Sequence, residues 1–296
     1  MDLESFNTSR ESLVPLLALS NKTNKNIIIF PTDKEAIEFA TDFSNLNKNI
    51  YHLPSWDTLS YDSFAPSLDI QGKRLEIAHL LLTTDTYNIA TSIKAISQRI
   101  YFEELEICKI ALNEEIDFDL LIENLIHLKY QRKDRVESKG SFAIRGGQLD
   151  VFPINYDLPL RVIFDGDLVN EIKTFDTISQ RSISEKNNIL VVPATELFQI
   201  QQSDILNLSS NNKENLDDYE LFQYSQNLDI EKCLLDLTSK ATLHIVDKNI
   251  LDNQLKEIID IEKDTFENLK QYFSLEIRNF KSRYKDISKF FGEYDI

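Results

Sequence analysis

Only six glycines, two cysteines and one tryptophan occur among the 296 residues, and 32 lysines and arginines face 49 aspartates and glutamates. No uninterrupted apolar run approaches the ~18 residues of a membrane span, and Met1-Asp2-Leu3-Glu4 has neither the basic segment nor the apolar stretch of a signal peptide. The expectation is a soluble, cytoplasmic chain with no membrane partner. Cys108 and Cys233 lie far apart and neither belongs to a CxxC pair, so a disulfide framework and a thiolate zinc site are not expected. His52, His79, His127 and His244 are scattered without metal-ligand spacing, which predicts structural or surface histidines and no metal. A formal charge of −17 excludes polyanion binding over the whole surface, so any such contact has to be local.

The shortage of glycine bears on catalysis. A nucleotide phosphate would need backbone N–H groups presented by a GxxxxGK[ST] loop after the first strand, and residues 20–25 and 31–34, which flank Ile27–Phe30, contain no glycine. Arg145-Gly146-Gly147 is followed by a strand rather than a helix N-terminus, and GxSxG is absent. Asp165-Gly166-Asp167 reads as a hairpin turn, because a hard cation needs more oxygen ligands than two carboxylates. No catalytic residue and no cofactor are assigned, and the chain itself is not read as an enzyme.

The 42% of hydrophobic residues suffices for substantial cores and follows two grammars. Ile27-Ile28-Ile29-Phe30 is a continuous apolar run, the pattern of a buried parallel strand. Thr32 then caps a helix with Ala36, Ile37, Phe39 and Ala40 on one side. Residues 50–53 and 87–91 read as further strands, 69–82 as a helix with Ile70, Leu75, Ala78, Leu81 and Leu82 along one face, and 92–100 as another helix. Strands alternating with helices predict a parallel α/β sheet. The middle differs: one helix, from Phe118 to about Lys129, precedes strands at 141–144, 148–152, 160–164 and 168–175, separated by glycine- and proline-bearing turns of hairpin type. Four of the six glycines fall between Gly140 and Gly166. The α/β grammar returns from about Thr195, with a polar stretch from Asn207 to Asp218 expected to be a mobile loop. A strand at 241–246 follows, and Asp247 caps a helix to about Phe273 with Leu251, Leu255, Ile258, Ile259 and Leu269 on its apolar side. The middle unit is thus expected to sit inside a sheet begun before it and completed after it.

One stretch departs from the acidic background. Between positions 129 and 145, Lys129, Arg132, Lys133, Arg135, Lys139 and Arg145 face only Asp134 and Glu137, and Arg161, Lys173 and Arg181 follow. A basic patch in an acidic chain reads either as a docking surface or as a solvated helix end and loop. Arg145 and Arg161 are better docking candidates than the lysines, because a guanidinium gives planar, multidentate recognition.

Several segments carry a resemblance. Leu53-Pro54-Ser55-Trp56-Asp57-Thr58-Leu59-Ser60-Tyr61-Asp62, continuing through Ala65-Pro66 to Arg74-Leu75, is similar to the LPxWExLPYDxxSPxxxxxxxRL signature of bacterial transcription-repair coupling factors, the Mfd family. Ile144-Arg145-Gly146-Gly147-Gln148-Leu149-Asp150-Val151-Phe152-Pro153 resembles xRGGILDIFP. Leu160–Phe164, Phe175-Asp176, Ser179–Ser182 and Pro193-Ala194 follow in the family's order.

The resemblance implies a UvrB-like N-terminal region, and with it an α/β fold: a degenerate, helicase-like parallel sheet domain similar to UvrB domain 1, formed by residues 1–105 and 195–296. Into it is inserted an α+β UvrA-binding domain, the UvrB interaction domain, at 106–194. The family's nucleotide loop and damage-probing hairpin are expected to be lost. The family's UvrA contacts map onto Arg145 and Arg161; the third, an aromatic, falls on Asp165, and Phe164 is the nearest ring. The implied function is a non-catalytic module of a DNA-repair protein that recruits UvrA of nucleotide excision repair to stalled RNA polymerase. The alternative is nucleic-acid binding by the basic patch at 129–145 of a repair translocase. Contacts with RNA polymerase and DNA, and the ATP-dependent translocase activity of a full-length parent, would belong to parts beyond these 296 residues. The chain is therefore expected to be an N-terminal piece of such a protein, natural or excised, or a stand-alone truncated relative.

Overall fold

The structure is a computed structural model that describes residues 25–45, 49–206, 216–238, 241–269 and 280–288, and the backbone of 4–8. Among the described residues no helix is long and apolar enough to cross a membrane. The chain begins with β1 (Glu4–Thr8), β2 (Lys25–Phe30), α1 (Asp33–Ser44), β3 (Tyr51–Leu53), α2 (Leu68–Thr83), β4 (Tyr87–Ser92), α3 (Ile93–Ser97) and β5 (Arg99–Ile100). The middle holds β6 (Cys108–Ala111), α4 (Phe118–His127), β7 (Gln131–Arg132), β8 (Ser141–Arg145), β9 (Gln148–Phe152), β10 (Leu160–Asp165), β11 (Leu168–Phe175), β12 (Ser182–Glu185) and β13 (Asn188–Val191). The last part holds α5 (Gln202–Leu206), α6 (Asp218–Ser225), β14 (Lys232–Cys233), β15 (Thr242–Val246) and α7 (Lys248–Leu269). These elements form two compact units, one of residues Met1–Pro66, Ile77–Tyr101 and Ile200–Ile296, the other of Ser67–Glu76 and Phe102–Gln199. The second unit therefore takes in residues 67–76, which the sequence reading leaves with the first part of the chain.

The first unit is built on a parallel sheet of order β1-β15-β2-β4-β3. A strand from the last third of the chain lies between two from the first, so chain on both sides of the middle unit completes one sheet. Its central strands are apolar on both faces because both are covered: Ile27, Ile28, Ile29, Leu243 and Ile245 are buried. Helix α1 lays Ala36, Phe39, Ala40 and Phe43 into a cluster with Ile28, Phe30, Ala90 and Val246. Thr32 starts this helix through a capping box in which its hydroxyl accepts the Glu35 N–H and the Glu35 carboxylate accepts the Thr32 N–H. A polar ladder crosses the buried strands: His244 Nε2 meets Asn26 Oδ1 at 3.2 Å, and Asn26 Nδ2 donates to Asn88 Oδ1 at 3.0 Å.

Three expectations need correction or limits here. The helix read over 92–100 is a five-residue turn capped by Ser92, whose Oγ accepts the Ala95 N–H at 3.0 Å. Its continuation is diverted because Arg99 and Ile100 pair with β14 and the Arg99 N–H donates to Arg283 O at 2.9 Å. Of the expected loop, residues 207–215 lie outside the described residues, and Asp218 already opens α6, where Asp217 and Glu220 form a capping box. Asp247 caps α7 as its type suggests, its Oδ1 accepting the Ile250 N–H at 3.3 Å. The described helix ends at Leu269, and Phe273 lies outside the described residues.

The second unit is a six-stranded sheet of order β12-β11-β10-β9-β8-β7, with β6 and β13 forming a separate pair. All pairs are antiparallel except β7 with β8. Gly146 (φ 61°) and Gly166 (φ 60°) occupy the left-handed positions of the β8–β9 and β10–β11 turns. Alternation assigns Phe142, Leu149, Val151, Leu160, Val162, Phe164, Val169 and Ile172 to one buried face. At its far end α4 closes with a Schellman turn in which Tyr130 N–H donates to Leu125 O and Lys129 N–H to Ile126 O; Lys129 takes the left-handed position at φ 69°. Within the same unit Arg74 is buried and paired with Glu196, its Nε lying 3.0 and 3.1 Å from the two carboxylate oxygens. Gly72 allows the chain at Ile154 to pass close by, since a Cβ there would sit 2.5 Å from the Ile154 carbonyl oxygen.

Candidate protein-docking surface on the middle sheet

The register decides which side chains share the outer face of the middle sheet. Arg145 lies opposite Gln148, Gln148 opposite Ile163, and Arg161 opposite Asp150, so these five project from one side. Arg145 and Arg161 are therefore brought together on that face, on strands separated by β9. Phe164 is not: it points to the buried face, 7% exposed, and meets Phe118 edge-on with ring centroids 5.0 Å apart. Phe164, the nearest ring and a candidate UvrA contact in the sequence, does not join the arginines on the outer face, since neighbours on a strand face opposite sides. Asp165, which continues the series Arg161 and Ile163, is exposed on the arginine side.

The two arginines differ in how they are held. Asp150, whose side chain is 4% exposed, grips Arg161 through both oxygens, from Nε at 2.7 Å and from Nη2 at 2.9 Å. The same carboxylate accepts both contacts from Gln148 Nε2 at 3.1 Å. Arg161 also donates from Nη1 to Gln180 O at 3.2 Å and stacks over buried Phe175, with Cζ 4.4 Å from the ring centroid. The hydrogen bonds that Arg161 donates to Asp150 push its pKa up, against a smaller opposing effect of desolvation. Arg145 is exposed, and its Nη2 donates to the Asp134 carbonyl at 3.1 Å. A rigid, largely neutralised guanidinium and an exposed one thus share a surface suited to carboxylate recognition.

The expected basic patch does not act as one body. Lys129, Arg132 and Lys133 are exposed. Lys139 is spent on Asp69 and on the Ile154 carbonyl. Arg135 donates from Nη2 to the carbonyls of Thr177 at 2.7 Å and Ile178 at 3.0 Å, so it fastens the 176–181 loop to the sheet's outer side. Sequence reasoning missed this loop and Asp150. A signal existed for the loop: Asp176 three residues before Ser179 is the spacing of a side-chain-closed turn, and Asp176 Oδ1 accepts the Ser179 N–H at 2.7 Å and its Oγ at 2.8 Å. These bonds hold the Asp176 carboxyl below its ordinary pKa. Nothing in the local sequence marks Asp150 as the partner of Arg161 on the next strand.

No group of three or more metal-ligating side chains occurs among the described residues. Cys108 and Cys233 are free and buried, and burial pushes their thiols up to about 11 and about 12.

Residues 108–197 match the family model of the UvrB interaction domain. The chain is 31% identical to the transcription-repair-coupling factor of Mycobacterium tuberculosis over 169 residues, which covers 54% of this chain and 14% of that protein. It is 26% identical to that of Bacillus subtilis over 289 residues, 84% of this chain and 24% of the relative. A segment of 82 residues is 34% identical to the UvrABC system protein B of Clostridium beijerinckii, covering 27% of this chain and 12% of that one. The chain thus spans a small fraction of the length of the curated relatives it matches.

Proposed function

We propose that this chain is a non-catalytic, cytoplasmic docking module of a transcription-repair coupling factor, which recruits UvrA to stalled RNA polymerase through its middle unit. The observation that carries the reading is a coincidence of location: the segment similar to the UvrB interaction domain is the one whose sheet holds Arg145 and Arg161 on a common outer face. The similarity to coupling factors and to a UvrABC system protein B supports the same assignment. On this reading the parallel sheet is a degenerate relative of UvrB's helicase-like domain, and the inserted unit is the part that binds. Nucleotide chemistry finds little support at the turn after β2, which is Pro31-Thr32 without a glycine and where the Thr32 hydroxyl takes the Glu35 N–H and the Glu35 carboxylate the Thr32 N–H. Nucleic-acid binding by the patch at 129–145 has less support than protein docking, because Lys139 and Arg135 are committed within the fold.

The test is isothermal titration of purified UvrA into the whole chain. Wild type binds, and Arg145→Glu, which removes a cation and opposes an acidic partner, weakens binding by about tenfold or more. Equal affinity for the two proteins contradicts the proposal.

A further inference from the structure

Resting on the UvrA reading, we infer that Ile178, displayed by the 176–181 loop beside Arg161, is an apolar anchor of the docking surface and inserts into an apolar hollow rimmed by carboxylates on UvrA. Ile178 is 87% exposed, yet the loop that carries it is fastened throughout. The Asp176 N–H donates to Arg181 O at 3.0 Å and the Gln180 N–H to Asp176 O at 2.8 Å, with Gln180 in a left-handed conformation at φ 60°. Gln180 Nε2 donates to Thr177 O at 2.8 Å, and Arg135 and Arg161 bind the carbonyls of residues 177, 178 and 180. An exposed isoleucine on a mobile tip would lose part of its burial energy to ordering on association. Here the backbone is already ordered, so burial of the side chain returns nearly its full hydrophobic gain.

The surroundings define the partner's chemistry. Arg135 and Arg161 flank the loop through direct hydrogen bonds, and exposed Arg181 follows it, giving an apolar centre with a guanidinium rim. Apolar centres ringed by polar groups, with arginine prominent, are where interface energy concentrates. The surface is continuous with Arg145 through Asp134, whose carbonyl Arg145 binds and whose neighbour is Arg135.

The experiment titrates UvrA into wild type, Ile178→Ser, Ile178→Val and Arg145→Glu at low and at high salt, with thermal midpoints measured for each. Ile178→Ser is expected to keep the wild-type midpoint and to bind about tenfold more weakly, by a factor that does not change with salt, while Ile178→Val loses less than about threefold. The deficit of Arg145→Glu shrinks as salt rises. Wild-type affinity in Ile178→Ser, with Arg145→Glu still weakened, overturns the anchor and leaves the docking surface standing. Failure of wild type to bind UvrA overturns both.

Discussion

Arg161 and Arg145 were equivalent as letters in the sequence and are not equivalent in the fold. Asp150 and Gln180 occupy much of the Arg161 guanidinium, which stacks on Phe175, whereas exposed Arg145 bonds to one backbone carbonyl. Of the two, Arg145 therefore carries the more outward charge, and Arg161 supplies shape. A third arginine shows what full burial does. Arg74 and Glu196 have side chains only 1% and 2% exposed, so their attraction acts in a low-dielectric interior and removing either takes a close opposite charge from a buried one. Arg74→Ala is expected to lower the unfolding free energy by about 3–5 kcal/mol in urea titration. A loss under about 1 kcal/mol would mean that Glu196 finds water or another donor. Position 74 was legible in the sequence only as part of a motif; that its guanidinium is buried follows from a partner 122 positions away, which no local pattern discloses.

Elements defined by periodicity were the most readable. The runs at 27–30, 148–152 and 168–175 became β2, β9 and β11 because apolar continuity and alternation are local properties that the sheets respect. The segment at 92–100 departs from its helical pattern because, although Ile93, Ala95, Ile96 and Ile100 suit a helix, pairing of Arg99–Ile100 with distant β14 decides otherwise. Helix α2 was placed correctly, but its buried face includes Gln71 and Arg74 as well as Leu75, Ala78 and Leu81, and Leu82 is exposed. Polar positions were invisible to a reading based on hydrophobicity. The ladder through β15, β2 and β4 was unreadable for the same reason, and it makes a pH prediction. Burial lowers the His244 pKa, so the folded state holds the imidazole neutral while the unfolded chain takes up a proton near pH ~6.5. The contribution of His244 is fully present above that pH and is lost as pH falls through it. Denaturation midpoints of wild type should therefore drop more between pH 7.5 and 5.5 than those of His244→Gln, and parallel profiles would refute the assignment.

At the scale of the molecule, a chain of net charge −17 carries, in its middle unit, two arginines on one side of a sheet and a third that ties down an adjoining loop. The insertion was legible because strand grammar changes twice along the chain. The candidate docking face was legible only in part: its arginines stood in a recognisable motif, whereas the buried carboxylate that orients one of them and the loop that borders them follow from strand register and tertiary hydrogen bonds. On the proposed reading, exposed arginines on this face of an acidic chain favour the approach of an acidic partner there. The most direct measurement is amide hydrogen exchange of the whole chain with and without saturating UvrA. New protection is expected on β8, β9, β10 and the 176–181 loop, with the parallel sheet unchanged. Protection confined to the unit that contains the parallel sheet, with the arginine face exchanging as it does in the free protein, would contradict it.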